Sequence, residues 1–480
     1  MRILFCCEFY FPSMGGVQEV MRQIAERMVA AGHDVTVATT KLPERGSSVH
    51  NGVKIEEFLV AGNFVAGIRG EVDRYREFVK QFNADAILIK AAQQWTFDAL
   101  WPVLEEIRSR KVFIPCGFSA LYEPEFAEYF RQMPSVLGKF DHLIFYAEHY
   151  RDLDFTKKHG LTNWSVIPNG ASEKEFFSGS AGNFREKHGI AENSYVFLTV
   201  GSMTGAKGHK EIAEAFCKMS VKGRPMTLIL NGNQPPWMRP RLDVAPESER
   251  GESDAHVVRR LVSKMSRLAG KILKVLSYPY KAIRIFGSEG YDGVYSRAHK
   301  VIVGALRNSP LGNMEWVKGL ESYNTLGYWV RKINRQNEGK QVFVVDLPRD
   351  ELIQAYFAAD LFVFASHVEY SPLVLFESAA AGTPFLSVPA GNAEEIAEWT
   401  KGGIICPAPK DKRGYTRVVP AVLAREMERA VGRQQELAQK GALARGLWEK
   451  KFTWDVIAKQ YEQILVVDHA VADSRMSCVQ

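Results

Sequence analysis

The sequence predicts an α/β protein built from two doubly wound, parallel-sheet units in tandem. Three observations carry this. Short apolar runs that suit strands buried on both faces alternate with stretches of helical apolar spacing. The alternation restarts once, just after the turn signal Asn169-Gly170. The chain has 480 residues, long enough for two large domains or three of about 150 residues.

The first unit opens with the apolar run Ile3–Cys7 and a loop through Phe11, Pro12, Ser13, Met14, Gly15 and Gly16. Val17, Val20, Met21, Ile24, Met28 and Val29 then recur at helical spacing, and Gly32 stops the helix. Val35–Ala38, Ala86–Lys90, Lys111–Pro115 and His142–Tyr146 complete the strands of this sheet. After a linker near Ser178–Asn183, Val196–Val200 is a strand, Gly201–Gly208 a glycine-bearing loop and His209–Met219 a helix. Further strands are expected at Thr227–Leu230, Val342–Val345, Leu361–Phe364 and Phe385–Val388. The expected domains are 1–170, completed by a C-terminal helix near 455–470, and 171–454 with an insertion near 233–340.

Composition excludes several classes. Hydrophobic residues make up 46% and charged residues 24%, an ordinary globular balance that rules out disorder and fibrous repeats. Lys plus Arg is 61 against 55 acidic residues, a net charge of +6, too even for a protein that binds nucleic acid through a broad basic face. None of the six cysteines forms a CxxC pair, so they read as core thiols of a reducing compartment. Adjacent Cys6 and Cys7 should point to opposite sheet faces. The apolar run at Ile3–Cys7 is too short for a signal peptide, and no run reaches the roughly 18 residues of a membrane span. A cytoplasmic location is expected.

Generic nucleotide signatures fail. The first loop lacks GxGxxG, and Thr39-Thr40-Lys41 supplies no acidic residue for a ribose, which argues against a dinucleotide oxidoreductase. Gly201–Gly208 is not a Walker loop either. It nonetheless places Lys207 between a strand and a helix, where backbone N–H groups and an ammonium suit a diphosphate. The densest constellation is Glu369-Tyr-Ser-Pro-Leu-Val-Leu-Phe-Glu377. Ser371 is a good N-cap and Pro372 a good first helical residue, so a helix should start at Pro372 and end before Gly382. Its free N–H groups would favour an anion, and the two carboxylates would accept hydrogen bonds from hydroxyls.

These residues resemble family 4 glycosyltransferases of the GT-B fold, retaining enzymes with an E-x7-E motif matched by Glu369 and Glu377. Gly15-Gly16-Val17, Ile167-Pro168-Asn169-Gly170, Lys207-Gly208, Gly391-Asn-Ala-Glu394 and Phe452-Thr453-Trp454 resemble further motifs of the family, in order. The resemblance implies two Rossmann-like domains facing a central cleft, with a nucleotide sugar as donor and no metal or other cofactor. It implies a hexosyl group moved to a glycan or lipid-linked acceptor, as in polysaccharide or glycolipid synthesis. By the same resemblance Glu369 and Lys207 are the catalytic candidates. Gly15, Gly16, Lys207, Ser371, Pro372, Leu373 and Glu377 are the donor-binding candidates.

Two positions depart from the family. Ser202 stands where an arginine is frequent, and Pro115-Cys116-Gly117 stands where many members carry a histidine, leaving Cys116 to line the acceptor side. The alternative is therefore a sugar-nucleotide-binding partner protein with a degenerate acceptor site. A sugar-nucleotide epimerase of the same fold would leave E-x7-E unexplained. Finally, residues 254–300 carry ten basic residues against three acidic, enough to account for the whole net positive charge. The helical stripe across 257–276, with Tyr278, Tyr280 and Trp316 as aromatic anchors, suggests an interfacial helix. It would dock on the anionic inner face of a membrane.

Overall fold

The computed structural model describes residues 1–220, 223–233, 324–336 and 339–466. Within them the chain forms two main sheets. In the first, the strands run in the order Trp164–Val166, His142–Phe145, Arg110–Ile114, Ala86–Lys90, Arg2–Cys6, Asp34–Thr40, Val53–Phe58 and Val49–His50. All neighbours are parallel except the short last pair. The second sheet is fully parallel, in the order Lys340–Val345, Met226–Asn231, Tyr195–Val200, Leu361–Phe364, Phe385–Ser387 and Gly403–Ile405.

Each sheet is apolar on both faces because helices cover both. Cys6 belongs to the cluster on one face of the first sheet and Cys7 to the cluster on the other, as strand alternation requires. Both thiols are fully buried, and burial pushes each up to about 12. They are inert.

Strand order places the sites. In each sheet the chain enters at an inner strand, Arg2–Cys6 or Tyr195–Val200, and later strands add on both sides of it. The order reverses there, and ligands of such folds bind beyond the carboxyl ends of the strands at that switch point. The loops that follow these two strands are the ones bearing Gly15-Gly16 and Lys207-Gly208.

The C-terminal helix Trp454–Leu465 starts at Thr453, whose hydroxyl accepts from the Val456 N–H at 3.3 Å. It returns to the first domain, burying Trp454, Ile457, Tyr461 and Leu465 in that domain's core beside helix Gly16–Ala30. Helix Leu326–Gln336 packs on helix His209–Lys218 as the crossover into strand Lys340–Val345. That helix lies within the stretch 233–340 expected to be an insertion. The basic stripe at 257–276 and its anchors Tyr278, Tyr280 and Trp316 lie outside the described residues. Among the described residues, no helix is long and apolar enough to cross a membrane.

Arg27 ties three distant segments together. From helix Gly16–Ala30 it pairs with Glu173 just past the interdomain turn, and its Nε donates to Asp455 of the C-terminal helix at 2.6 Å. Glu173 is 6% exposed, so loss of its cation strands a buried carboxylate. Arg27→Met should cost about 3 kcal/mol in denaturant unfolding, and pairing it with Glu173→Met should recover much of the loss. Equal losses in the two variants would mean the pair is not what holds these segments.

Candidate functional site

The two switch-point loops open onto one cavity of about 710 Å³ lined by both domains. All nine candidates named from the sequence line it: Gly15, Gly16, Cys116, Lys207, Glu369, Ser371, Pro372, Leu373 and Glu377.

On the second-domain side, Gly208 has φ +76°, and a Cβ there would lie 2.0 Å from the Ala365 carbonyl oxygen, so only glycine fits. That close approach brings Lys207 to the loop containing Glu369. Its ammonium donates to Glu369 Oε1 at 2.5 Å, and Ser366 Oγ donates to the same oxygen at 2.8 Å. Helix Leu373–Ala381 follows, closed by Gly382 in the left-handed conformation. Its start corrects the expectation at Ser371 and Pro372. Pro372 is the cap residue rather than the first helical one, and Ser371 Oγ, buried against the cavity, makes no hydrogen bond. On the first-domain side, Gly16 opens its helix 4.0 Å from Leu373, measured from an ideal Cβ, so the two helix N-termini converge.

Glu377 is held at both oxygens. Arg349 pairs with Oε1 at 2.6 Å and the Tyr356 hydroxyl donates to Oε2 at 2.9 Å. Arg349 also makes a fork to Glu175, at 2.9 and 2.8 Å. Burial opposes the charge of Arg349, but the carboxylates of Glu377 and Glu175 outweigh it and push its pKa up. Glu19 at the cavity wall pairs with Arg22 at 2.8 Å. Each carboxylate of the cavity wall thus has a cation beside it, with Arg349 shared between Glu175 and Glu377.

Lys90 is the exception. It ends strand Ala86–Lys90, is fully buried, and donates to the Tyr146 hydroxyl at 2.6 Å with no carboxylate partner among the described residues. Burial pulls its pKa down from 10.5 to about 8. Beside it, Cys116 has φ +64° and its thiol is pushed up by burial, so it is a neutral lining group. Lys90 and Arg349 were missed in the sequence. A lysine closing an apolar strand was a visible signal for the first. Arg349, near the positive end of its helix, offered none.

Comparison with known proteins agrees with this fold. Over 96% of this chain and 98% of the other, sucrose-phosphate synthase from Thermosynechococcus elongatus superposes with a TM-score of 0.62 at 16% identity. HepE of Anabaena, in complex with UDP and glucose, superposes with a TM-score of 0.58 at 15% identity, over 97% and 99% of the two chains. The chain has the GT-B fold. Residues 300–441 of this GT-B protein match the family described as Glycosyl transferases group 1, a stretch that includes Glu369 and Glu377. The match begins within the segment expected to be an insertion, 233–340. Glycogen synthase of Mycobacterium tuberculosis is 32% identical over 125 residues, 25% of this chain and 27% of the relative. The aligned stretch thus spans about a quarter of that relative's length.

The buried ammonium has a measurable consequence. A folded pKa below the unfolded one means that the unfolded chain binds more protons between about pH 8 and 10.5, so Lys90 makes stability rise with pH there. Lys90→Met should remove that rise. At pH 7 it should exceed wild type by on the order of 2 kcal/mol, once the lost Tyr146 hydrogen bond is subtracted. Parallel pH–stability curves from denaturant unfolding would contradict this.

Proposed function

We propose that the protein is a retaining glycosyltransferase that moves a hexosyl group from a nucleoside diphosphate sugar to a glycan or lipid-linked acceptor. The observation that carries this reading is the convergence of Lys207, Glu369 and Glu377 with two helix N-termini in one interdomain cavity. A nucleotide sugar needs those three features together. Lys207, the backbone at Gly16 and the amides near Ser371–Leu373 hold the diphosphate, whose charge favours positive helix ends. Glu377, fixed by Arg349 and Tyr356, keeps lone pairs to accept ribose hydroxyls. Glu369 faces the sugar and offsets positive charge developing at the anomeric carbon.

In the transfer, the bond from the anomeric carbon to the diphosphate oxygen breaks and the acceptor oxygen bonds to the same face. The released phosphate oxygen takes the acceptor proton. Preorganised donors on the leaving group lower the barrier, and no further protein base is needed. Crystal structures of HepE hold that protein in complex with UDP and glucose and with UDP-glucose, which makes UDP-glucose the first donor to test. The departure at Cys116 favours one second reading, a sugar-nucleotide-binding partner without turnover. Donor hydrolysis by the purified protein separates the two.

The residue roles are separable. Lys207→Ala should weaken nucleoside diphosphate binding about 10- to 150-fold, the worth of a charge-assisted hydrogen bond. Glu377→Gln should impair binding of the nucleotide alone, while Glu369→Gln should spare it and depress turnover. Calorimetric titration with the diphosphate and release of that diphosphate from the sugar donor measure both. Swapped phenotypes for the two glutamates would overturn the assignment.

A further inference from the structure

The carboxylate of Glu369 is held by Lys207 and Ser366 of its own domain, but its backbone is held by the other domain. The Tyr150 hydroxyl, in the first domain, donates to the Glu369 carbonyl oxygen at 2.7 Å. The direction is fixed by chemistry. Arg151 Nη2 lies 2.8 Å from the same hydroxyl, and a guanidinium can only donate, so the single hydroxyl proton of Tyr150 is committed to Glu369.

The neighbouring residue is gripped as well. The Tyr370 hydroxyl accepts from the Tyr146 N–H at 3.0 Å and hydrogen-bonds the buried Asp152 carboxylate, which also accepts the Gly117 N–H at 2.8 Å. The Tyr150 and Tyr370 rings pack with centroids 4.7 Å apart. Gly117 lies under both: at φ +90°, a Cβ there would fall 3.0 Å from Tyr370 Cγ and 3.1 Å from Tyr150 Cε1. From the opposite side, a Cβ on Gly391 would fall 2.3 Å from the Tyr370 carbonyl oxygen and 3.0 Å from the Glu369 carbonyl carbon. Gly117 of the first domain thus leaves room for the two tyrosine rings, and Gly391 of the second leaves room for the backbone of this loop.

From this geometry we propose that Tyr150 is a positioning residue for Glu369: apposition of the two domains sets the backbone from which the sugar-facing carboxylate projects. The inference rests on the glycosyltransferase reading above. It makes Glu369 correctly placed only when the first domain is engaged. Binding of the nucleotide, through Lys207 and Glu377, does not depend on Tyr150.

Tyr150→Phe removes the hydroxyl and keeps the ring. A misplacement of about 1 Å near the reacting atoms can cost on the order of 100-fold, so loss of one backbone anchor should lower kcat about 10-fold. Diphosphate release from a panel of UDP-, GDP- and ADP-sugars should show that fall, with KM and nucleoside diphosphate affinity within about 2-fold of wild type. Arg413→Gln is the control, because it removes another contact between the domains, Arg413 to Glu123 at 3.4 Å, without touching this loop. It should retain wild-type kcat. An equal fall in both variants would mean general loosening of the domains and overturn the role of Tyr150. An active wild type matched by Tyr150→Phe would overturn this inference alone. A wild type that neither binds nor turns over any nucleotide sugar would take down the proposed function with it.

Discussion

The cleft depends on the ion pair between Lys207 and Glu369, because it joins two loops of its second-domain wall. One follows the inner strand of the second sheet and the other leads into helix Leu373–Ala381. The contact is possible only because Gly208 lets the first loop close on the Ala365 backbone. A side chain there would push Lys207 away from Glu369. The family resemblance seen in Lys207-Gly208 and in the two glutamates is thus one steric arrangement observed from two places in the chain.

Charge at the cavity is closely balanced. Glu19, Glu175, Glu369 and Glu377 are each paired with a neighbouring cation, Arg349 being shared by Glu175 and Glu377. Unpaired carboxylates would repel a diphosphate, so pairing them lets the wall offer hydroxyl acceptors without excluding an anion. Lys90 adds a buried positive group beside Cys116 and Tyr146, without a carboxylate partner among the described residues and at a cost to stability. Polar atoms left buried without partners, Asn169 Oδ1 and Ser371 Oγ, border the same cavity.

Much of this was legible in the sequence because it is local. Strand runs such as Ile3–Cys7, the stop at Gly32 and the helix end at Gly382 are set by neighbouring residues, and the structure places them within a residue or two. The opposite burial of Cys6 and Cys7 followed from the two-residue period of a strand. Ser371 and Pro372 were off by one position because a good capping residue and a proline each allow two starts, and tertiary contacts chose between them. Arg349, Tyr150 and Tyr370 carried no signal. Their partners lie 28, 219 and 224 residues away in the chain, for Arg349–Glu377, Tyr150–Glu369 and Tyr146–Tyr370. No spacing rule reaches that far.

The central claim is that a nucleoside diphosphate occupies the interdomain cavity with its phosphates on Lys207 and its ribose on Glu377. The most direct test is a crystal structure of the protein with whichever of UDP, GDP and ADP binds most tightly by calorimetry. The account predicts phosphate oxygens within hydrogen-bond distance of Lys207 Nζ and of the amides that open helix Leu373–Ala381, and ribose hydroxyls on the Glu377 carboxylate. A nucleotide bound away from both residues, or one whose ribose and diphosphate are reversed between them, would contradict it.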